Sequence, residues 1–102
     1  MPFIEIDIDE LIKENMKDPI FAMYYEKSKL EVDLIGQIIH YRKKMNVSQQ
    51  TLAQESGVRQ QVISRMERHQ SFPNLVTLSK IAKALGLRLT LQEFKSTDQI
   101  KE

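Results

Sequence analysis

The residues of this sequence best suited to chemistry lie in the stretch RQQVISRMER, residues 59–68. Its polar members are glutamine, arginine and serine, with no carboxylate before Glu67. A glutamine can bond both N6 and N7 of adenine, and an arginine can bond O6 and N7 of guanine. The stretch therefore offers side chains that could read the edges of DNA bases. The candidates for base readout are Arg59, Gln60, Gln61, Ser64 and Arg65.

The stretch belongs to a pattern typical of two short helices joined by a glycine turn. The helix QQTLAQES, which we predict to begin after a capping Ser48, carries the small residue Ala53 at its middle and stops at Gly57. Glycine tolerates the positive φ that a sharp turn favours. In the second helix, Ile63 and Met66 are spaced to face inward. Jointly these residues predict a helix-turn-helix, whose second helix enters the DNA major groove, although Gly57 alone is more often a plain helix end.

Hydrophobic periodicity predicts the elements that must position this motif. Three helices precede it: one over about residues 9–17, one from Pro19 to about Lys29 with Asp18 as its cap, and one within VDLIGQIIHYRKKM. Another helix, LVTLSKIAKALG, follows the motif and stops at Gly86. Near the N-terminus, FIEIDI alternates apolar and acidic residues, which indicates a short strand or an extended arm.

The stretch LRLTLQEF alternates leucines with polar residues, which predicts one β-strand. A lone strand needs a partner, and the candidates are its own copy in a dimer or the N-terminal arm. The candidate dimer residues are therefore Leu87, Leu89 and Leu91.

The run SQQTLAQESGVRQQVISRMERHQSFPNLVTLSKIAKALG resembles the Cro and lambda-repressor type (XRE) helix-turn-helix family, and the likeness covers roughly residues 34–86. It implies an all-α, lambda-repressor-like helix-turn-helix bundle, to which this chain adds an N-terminal helical arm and a short C-terminal β-strand. The predicted divisions are an acidic helical arm over 1–31, the XRE-type domain over 32–86, the strand over 87–94 and a polar tail over 95–102.

The resemblance also implies roles for individual residues. The positions that read bases in the family correspond to Gln60, Gln61 and Arg65. Gln49 matches a phosphate-contacting position, while Arg42 and Glu67 match an ion pair that ties the family's first helix to the end of its recognition helix. Arg42 could also face phosphate. The further phosphate candidates, each of which could equally be a surface charge without a role, are Lys43, Lys44 and Arg68.

The N-terminal region differs in charge from the rest of the chain. Residues 1–41 carry a net charge of −5 and residues 42–102 a net charge of +6. In arrangement the chain resembles antitoxins of the host-inhibition-of-growth (HigA-like) type, in which a helical arm precedes the XRE domain. That resemblance implies a small basic toxin with a RelE-like fold as partner, whereas the same arm could instead fold back on the core or form the dimer. The candidate toxin-binding residues are Ile4, Ile6, Asp7, Ile8, Asp9, Glu10, Glu14, Phe21, Tyr24 and Tyr25.

Several function classes are disfavoured by composition. The chain has no cysteine, so it can form neither disulfides nor thiolate metal sites. Its two histidines, His40 and His69, lie in no metal-spaced set, and no glycine-rich phosphate loop is present. We therefore predict no catalytic residue, no metal and no cofactor. The N-terminus is acidic where a secretion signal would be basic, and no apolar run is long enough to cross a bilayer, so we expect a cytoplasmic protein.

These observations predict a homodimer that binds palindromic operator DNA, since two-fold symmetric proteins read half-sites about one helical turn apart. With the second resemblance they predict an antitoxin that neutralises a RelE/HigB-like, ribosome-dependent mRNA-cleaving toxin and represses its own operon. The alternative is a stand-alone or phage-type repressor whose arm serves dimerisation. A protein-interaction module without DNA binding is disfavoured by Arg59 and Arg65.

Overall fold

The computed structural model describes residues 7–94, and within them the chain is helical. Its elements are α1 (Ile8–Asn15), α2 (Pro19–Lys44), α3 (Gln49–Ser56), α4 (Gln60–Glu67) and α5 (Leu75–Ala84). The all-α fold class is therefore confirmed. No helix within residues 7–94 combines the length and the apolar character that a membrane span requires.

Four of the five helices begin at a side chain that accepts a hydrogen bond from the first turn. Asp18 accepts from the Ile20 amide at 2.9 Å, with Pro19 at the first helical position, and Ser48 accepts from the Thr51 amide at 3.0 Å. Both caps are the ones that the sequence predicts. The corresponding caps of α1 and α5 are Asp7 and Asn74. Each cap satisfies an amide that the helix itself leaves without a partner.

The hydrophobic core lies between the C-terminal half of α2 and helices α3, α4 and α5. Its members are at most 8% exposed: Ile35, Ile38, Leu52, Val58, Ile63, Met66, Leu78, Ile81, Ala82 and Leu85. Within the described residues no polar or charged residue is fully buried. The core therefore fixes α3 and α4 against a helical frame built by α2 and α5.

Helix α2 runs without a break from Pro19 to Lys44. The prediction of two separate helices here, one ending near Lys29, was wrong. Nothing between Lys29 and the core contains a proline or a capping turn, and Gly36 lies in the middle of the helix with open space around it. The predicted arm boundary at residue 31 therefore falls inside a continuous helix.

The predicted C-terminal strand is absent from the structure: residues 87–94 are neither strand nor helix. Leu87 and Leu89 instead pack onto the helices, where they line a small cleft of about 150 Å³ with residues of α2 and α5 such as Tyr41 and Ala82. The alternation of leucines thus serves packing against helices, because the described chain offers no strand with which to pair. Leu91 and Phe94, farther along, are exposed.

Part of the sequence predictions falls outside the described residues. Ile4, Ile6 and the polar tail over 95–102 lie there. Most of the predicted strand or arm FIEIDI does as well, but its last residue, Ile8, opens α1 with Asp7 as the N-cap. The end of FIEIDI is therefore the start of a helix.

Candidate nucleic-acid interface

The turn between α3 and α4 depends on Gly57. Its φ is +73°, and its amide donates to the carbonyl of Ala53 at 3.0 Å. A Cβ built on Gly57 would meet no atom within 4 Å, so it is the left-handed backbone, and not lack of space, that favours glycine. Ala53 is half-buried beneath the turn and packs on the core. The sharp turn sets the angle at which α4 leaves α3.

Helix α4 has one face in the core and the other in solvent. Ile63 and Met66 are completely buried, as their spacing predicts. Ser64 is half-buried. The other residues predicted for base readout are exposed on or just before the helix: Arg59, Gln60, Gln61 and Arg65. The donors and acceptors needed to read base edges therefore share the solvent side of one short helix.

The N-terminus of α4 differs from those of the other helices. Its N-cap residue, Arg59, makes no side-chain hydrogen bond to the first turn. The unpaired amides at a helix start, with the positive end of the helix dipole, favour anions. The end of α4 that carries Gln60 and Gln61 is thus electrostatically suited to approach a nucleic acid.

An ion pair joins the end of α2 to the end of α4. The Arg42 guanidinium donates from Nε to Glu67 Oε2 at 2.7 Å and from Nη2 to Glu67 Oε1 at 2.8 Å. A third donor, Nη1, reaches the carbonyl of Val47 at 3.0 Å. The two side chains are only 13% and 8% exposed. This is the pair that the resemblance implies, and it fixes the C-terminal end of α4.

The same contact sets the ionisation of Arg42. Its hydrogen bond to Glu67 raises the pKa of the guanidinium above its ordinary value, and desolvation opposes that shift to a smaller extent. Because a raised pKa stabilises the fold at every pH below the unfolded value, the contribution is complete at neutral pH and is lost only in strong alkali. Three donors used inside the protein leave little of Arg42 for a phosphate.

The side chain of Gln49, predicted to contact phosphate, donates from Nε2 to Glu67 Oε1 at 2.9 Å. It is half-buried at the first position of α3. Sequence reasoning missed this contact, because the two residues are 18 positions apart and meet only through the packing of α3 against α4.

The other predicted phosphate residues are exposed: Lys43 and Lys44 lie at the end of α2, and Arg68 lies at the end of α4. Lys43 lines an open groove of about 370 Å³ with Arg42, Asn46 and Ser48. Lys44 lies with its ammonium 5.7 Å from the ring centroid of Tyr41, and Arg68 follows α4. Sequence reasoning did not single out Lys80 of α5, a basic residue that lines a groove of about 420 Å³ together with Arg59.

The sequence profile of the family described as "Helix-turn-helix" matches residues 38–92, more than half of the chain. The chain belongs to the XRE-type helix-turn-helix family. That family consists of DNA-binding domains and is not typically enzymatic. No group of three His, Cys, Asp or Glu residues that could hold a metal ion lies within residues 7–94.

Individual proteins resemble larger parts of the chain. An "Uncharacterized HTH-type transcriptional regulator" of Haemophilus influenzae is 40% identical over 65 residues, which cover 64% of this chain and 66% of that protein. "Antitoxin HigA1" of Mycobacterium tuberculosis is 38% identical over 74 residues, which cover 72% of this chain but only 50% of that protein. A chain in the structure "Toxin-Antitoxin module from Streptococcus pneumoniae" superposes with a TM-score of 0.67 at 27% identity, covering 89% of this chain and 97% of that one.

Outside the helix-turn-helix domain, α1 and the first half of α2 form an arm, defined here as residues 7–33. No residue of the arm is buried. Of its predicted toxin-binding residues, Phe21 and Tyr25 are half-buried and stack on each other with ring centroids 6.1 Å apart. The others within the described chain are exposed: Asp7, Ile8, Asp9, Glu10, Glu14 and Tyr24.

The arm exposes more apolar surface than the sequence prediction assigned to it. Ile20, Leu30 and Val32 are each more than half exposed and were not among the predicted residues. On α2, Ile20 lies three residues before the exposed Met23 and Leu30 lies seven residues after it, on one helix face, whereas Val32 lies on the opposite face. Had the segment been treated as one continuous helix, this periodicity would have indicated Leu30.

Proposed function

We propose that the chain is a sequence-specific DNA-binding antitoxin that represses its own operon and neutralises a RelE/HigB-like toxin, which cleaves mRNA on the ribosome. One observation carries the proposal: a helix-turn-helix with exposed glutamine and arginine side chains is attached to an acidic arm, most of whose apolar residues are exposed within the described part of the chain. The match to an antitoxin and to a toxin-antitoxin structure supports the same function.

On the DNA side, we propose that Gln60, Gln61 and Arg65 contact base edges, with Arg59 and Ser64 beside them. A helix in the major groove presents to the bases the side chains at its N-terminal end. Gln60 and Gln61 lie there on α4, and Arg65 lies one turn after Gln61 on the same helix face. The phosphates would be held by Gln49, Lys43, Lys44 and Arg68. Arg42 would act mainly by holding Glu67.

On the protein side, we propose that the arm binds the toxin. Residues 7–33 carry a net charge of −4, which complements a basic partner. Their exposed apolar residues include Ile20 at 65% and Met23 at 59% exposure, side chains suited to be interface anchors. Contiguous exposed apolar surface on a soluble protein commonly marks an interaction site.

We further propose a homodimer on a palindromic operator. Of the predicted dimer residues, Leu87 and Leu89 already pack on their own core, whereas Leu91 is fully exposed next to an exposed Phe94. Within residues 87–94, the surface around Leu91 and Phe94 is therefore the part that a second copy of the chain could cover.

The second candidate function is a stand-alone repressor whose arm forms the dimer. It is supported by the match to a transcriptional regulator, and by the fact that a second copy could equally cover the apolar residues of the arm. In this case the arm would have no protein partner other than itself.

The test compares the tagged full chain with the variant Ile20→Asp/Met23→Asp, in which two exposed arm residues become charged without loss of any core contact. Each is used to capture proteins from its native cell, and the captured proteins are identified by mass spectrometry. We expect the full chain, but not the variant, to capture a small basic protein that cleaves mRNA in a ribosomal translation assay. We also expect addition of the full chain to suppress that cleavage. Capture of no such protein, with the variant falling to a monomer in light scattering, would support the stand-alone repressor instead.

A further inference from the structure

We infer that Gln49 is a positioning residue for the recognition helix α4: its amide ties α3 to the carboxylate of Glu67 while one of its N–H groups stays available for a DNA phosphate. The inference rests on the proposed DNA binding and adds to it a device that sets base preference.

Three helices meet at the carboxylate of Glu67. Arg42 of α2 donates to both oxygens, at 2.7 and 2.8 Å, and Gln49 of α3 donates to Oε1 at 2.9 Å. Glu67 is itself the last residue of α4. The ion pair alone joins α2 to α4, so that Gln49 is the side chain that brings α3 into the same network. The carboxylate thus holds the end of α4 against both neighbouring helices.

The two ends of the helix-turn-helix are held by different means. At the turn, the backbone of Gly57 and the buried Ile63 fix the start of α4 relative to α3. At the opposite ends of the two helices, the contact between Gln49 and Glu67 closes the unit. The buried Met66 and the Arg42–Glu67 pair also hold this end of α4, but only the Gln49 side chain ties it to the first residue of α3. Removing the Gln49 amide therefore leaves the fold in place and allows a small change in the angle between α3 and α4.

The chemistry of the amide allows a second contact. A glutamine amide carries two N–H donors, and one of them is directed to Glu67. The side chain is only half-buried and stands at the first position of α3, where backbone amides also lack helical acceptors. One phosphate oxygen can therefore bind the second donor while the first remains on Glu67. Because the amide is uncharged, this contact adds no counterion release, unlike a contact made by Lys43.

The experiment uses the full chain and a duplex that the wild-type protein selects from a randomised DNA library. Dissociation constants of the wild-type protein and of Gln49→Ala are measured for this duplex and for a shuffled duplex. Gln50→Ala serves as the matched control because Gln50 is the exposed neighbour on the same turn. The free proteins are also compared by ¹⁵N NMR at the Arg42 Nε–H and at the amides of α4, with melting temperatures recorded.

For Gln49→Ala we expect affinity to fall about thirtyfold on the selected duplex and about threefold on the shuffled one, on the scale of lost hydrogen bonds to charged groups. The preference ratio therefore falls about tenfold, while the salt dependence keeps its wild-type slope and Gln50→Ala leaves all values unchanged. The Arg42 Nε–H and α4 resonances shift in Gln49→Ala alone.

Equal losses on both duplexes would overturn the inference, since a simple phosphate contact lowers affinity without regard to sequence. A lower melting temperature with an unchanged preference ratio would overturn it too, because the role would then be structural only. If the wild-type protein selects no sequence, the proposed DNA binding fails instead. In that event the NMR comparison still decides whether Gln49 positions α4: unshifted α4 resonances would refute it.

Discussion

The arm and the helix-turn-helix domain are both built of helices with apolar residues, yet they bury very different fractions of their apolar side chains. In the domain, apolar positions on four helices converge on one core, and Leu52, Ile63, Met66 and Ile81 are completely buried. In the arm, Ile8, Leu11 and Ile20 are each at least half exposed, and no residue is buried. The same pattern thus produces a finished core where several helices meet and an unpartnered surface where one helix extends beyond them.

The dimensions of the chain reflect this difference. Its radius of gyration is 17.6 Å, whereas a compact chain of this length would have about 13 Å. Helix α2, with 26 residues, is about 39 Å long at 1.5 Å per residue, and only its C-terminal half contacts the core. Stability should therefore depend on the domain, and the arm should be available for binding.

Loss of a charge tests the contrast most severely. Glu67→Ala leaves the largely buried Arg42 charge without its carboxylate partner, and we expect the free energy of unfolding to fall by about 3–5 kcal/mol. The double variant Arg42→Ala/Glu67→Ala should lose less than either single change. The values come from urea denaturation followed by circular dichroism.

Its control in the arm is Glu14→Ala, which breaks a pair with Lys17 whose side chains are 71% and 75% exposed. This change should leave the free energy of unfolding unaltered within error. A double variant at 42 and 67 less stable than both single variants would refute the view that the uncompensated charge dominates.

Truncation of apolar side chains should also lower the free energy of unfolding in the domain more than in the arm, by a somewhat smaller amount. Leu52→Ala removes a completely buried side chain and should cost about 2–5 kcal/mol. Leu30→Ala, at a position 59% exposed in the arm, should cost less than about 0.5 kcal/mol. Thermal and urea unfolding of both variants measure this. Similar losses at the two positions would mean that the arm is part of the folding core.

Base readout should respond without any change in stability. Gln60→Ala and Arg65→Ala alter exposed residues of α4 and should each weaken specific DNA binding by about 1–3 kcal/mol and relax base preference. The control Lys43→Ala should weaken binding to all sequences alike and flatten the salt dependence. Fluorescence anisotropy on selected and shuffled duplexes measures both effects. Unchanged base preferences in the two α4 variants would remove α4 from the recognition role.

Helix caps should give the smallest contrast. Asn74 accepts from the Thr77 amide at 2.8 Å at the start of α5, so Asn74→Ala should lower global stability by about 1 kcal/mol. Asp7 makes the equivalent bond to Glu10 at 3.2 Å in α1. Because α1 contributes nothing to the buried core, Asp7→Ala should reduce helical signal at 222 nm while the unfolding midpoint stays in place. A shifted midpoint would tie α1 to the cooperative unit.

Local signals made much of the fold predictable from the sequence. The caps Asp18 and Ser48, the turn at Gly57 and the inward pair Ile63 and Met66 depend on neighbours within a few residues, and sequence periodicity reports such neighbours. The continuity of α2 could have been predicted as well, because no proline interrupts it after Pro19 and a single glycine, Gly36, is tolerated inside a helix.

Other features depend on contacts between distant segments, which no local pattern contains. The alternating leucines of residues 87–89 fit a strand as well as a chain packed on helices, and only the groove between α2 and α5 decides between them. The contact of Gln49 with Glu67 likewise requires the angle between α3 and α4 to be known. The sequence therefore indicated candidate DNA-contacting residues, but not the hydrogen bond between Gln49 and Glu67.

The measurement that tests the central claim most directly is the affinity of Ile20→Asp/Met23→Asp for the duplex selected by the wild-type protein. This variant should no longer bind a basic protein partner. If the arm and the recognition helix are separate binding surfaces, its dissociation constant for DNA stays within about twofold of the wild-type value, because exposed substitutions away from an interface are close to neutral. A loss of DNA binding together with the protein partner would contradict that division and make the arm part of the DNA-binding unit.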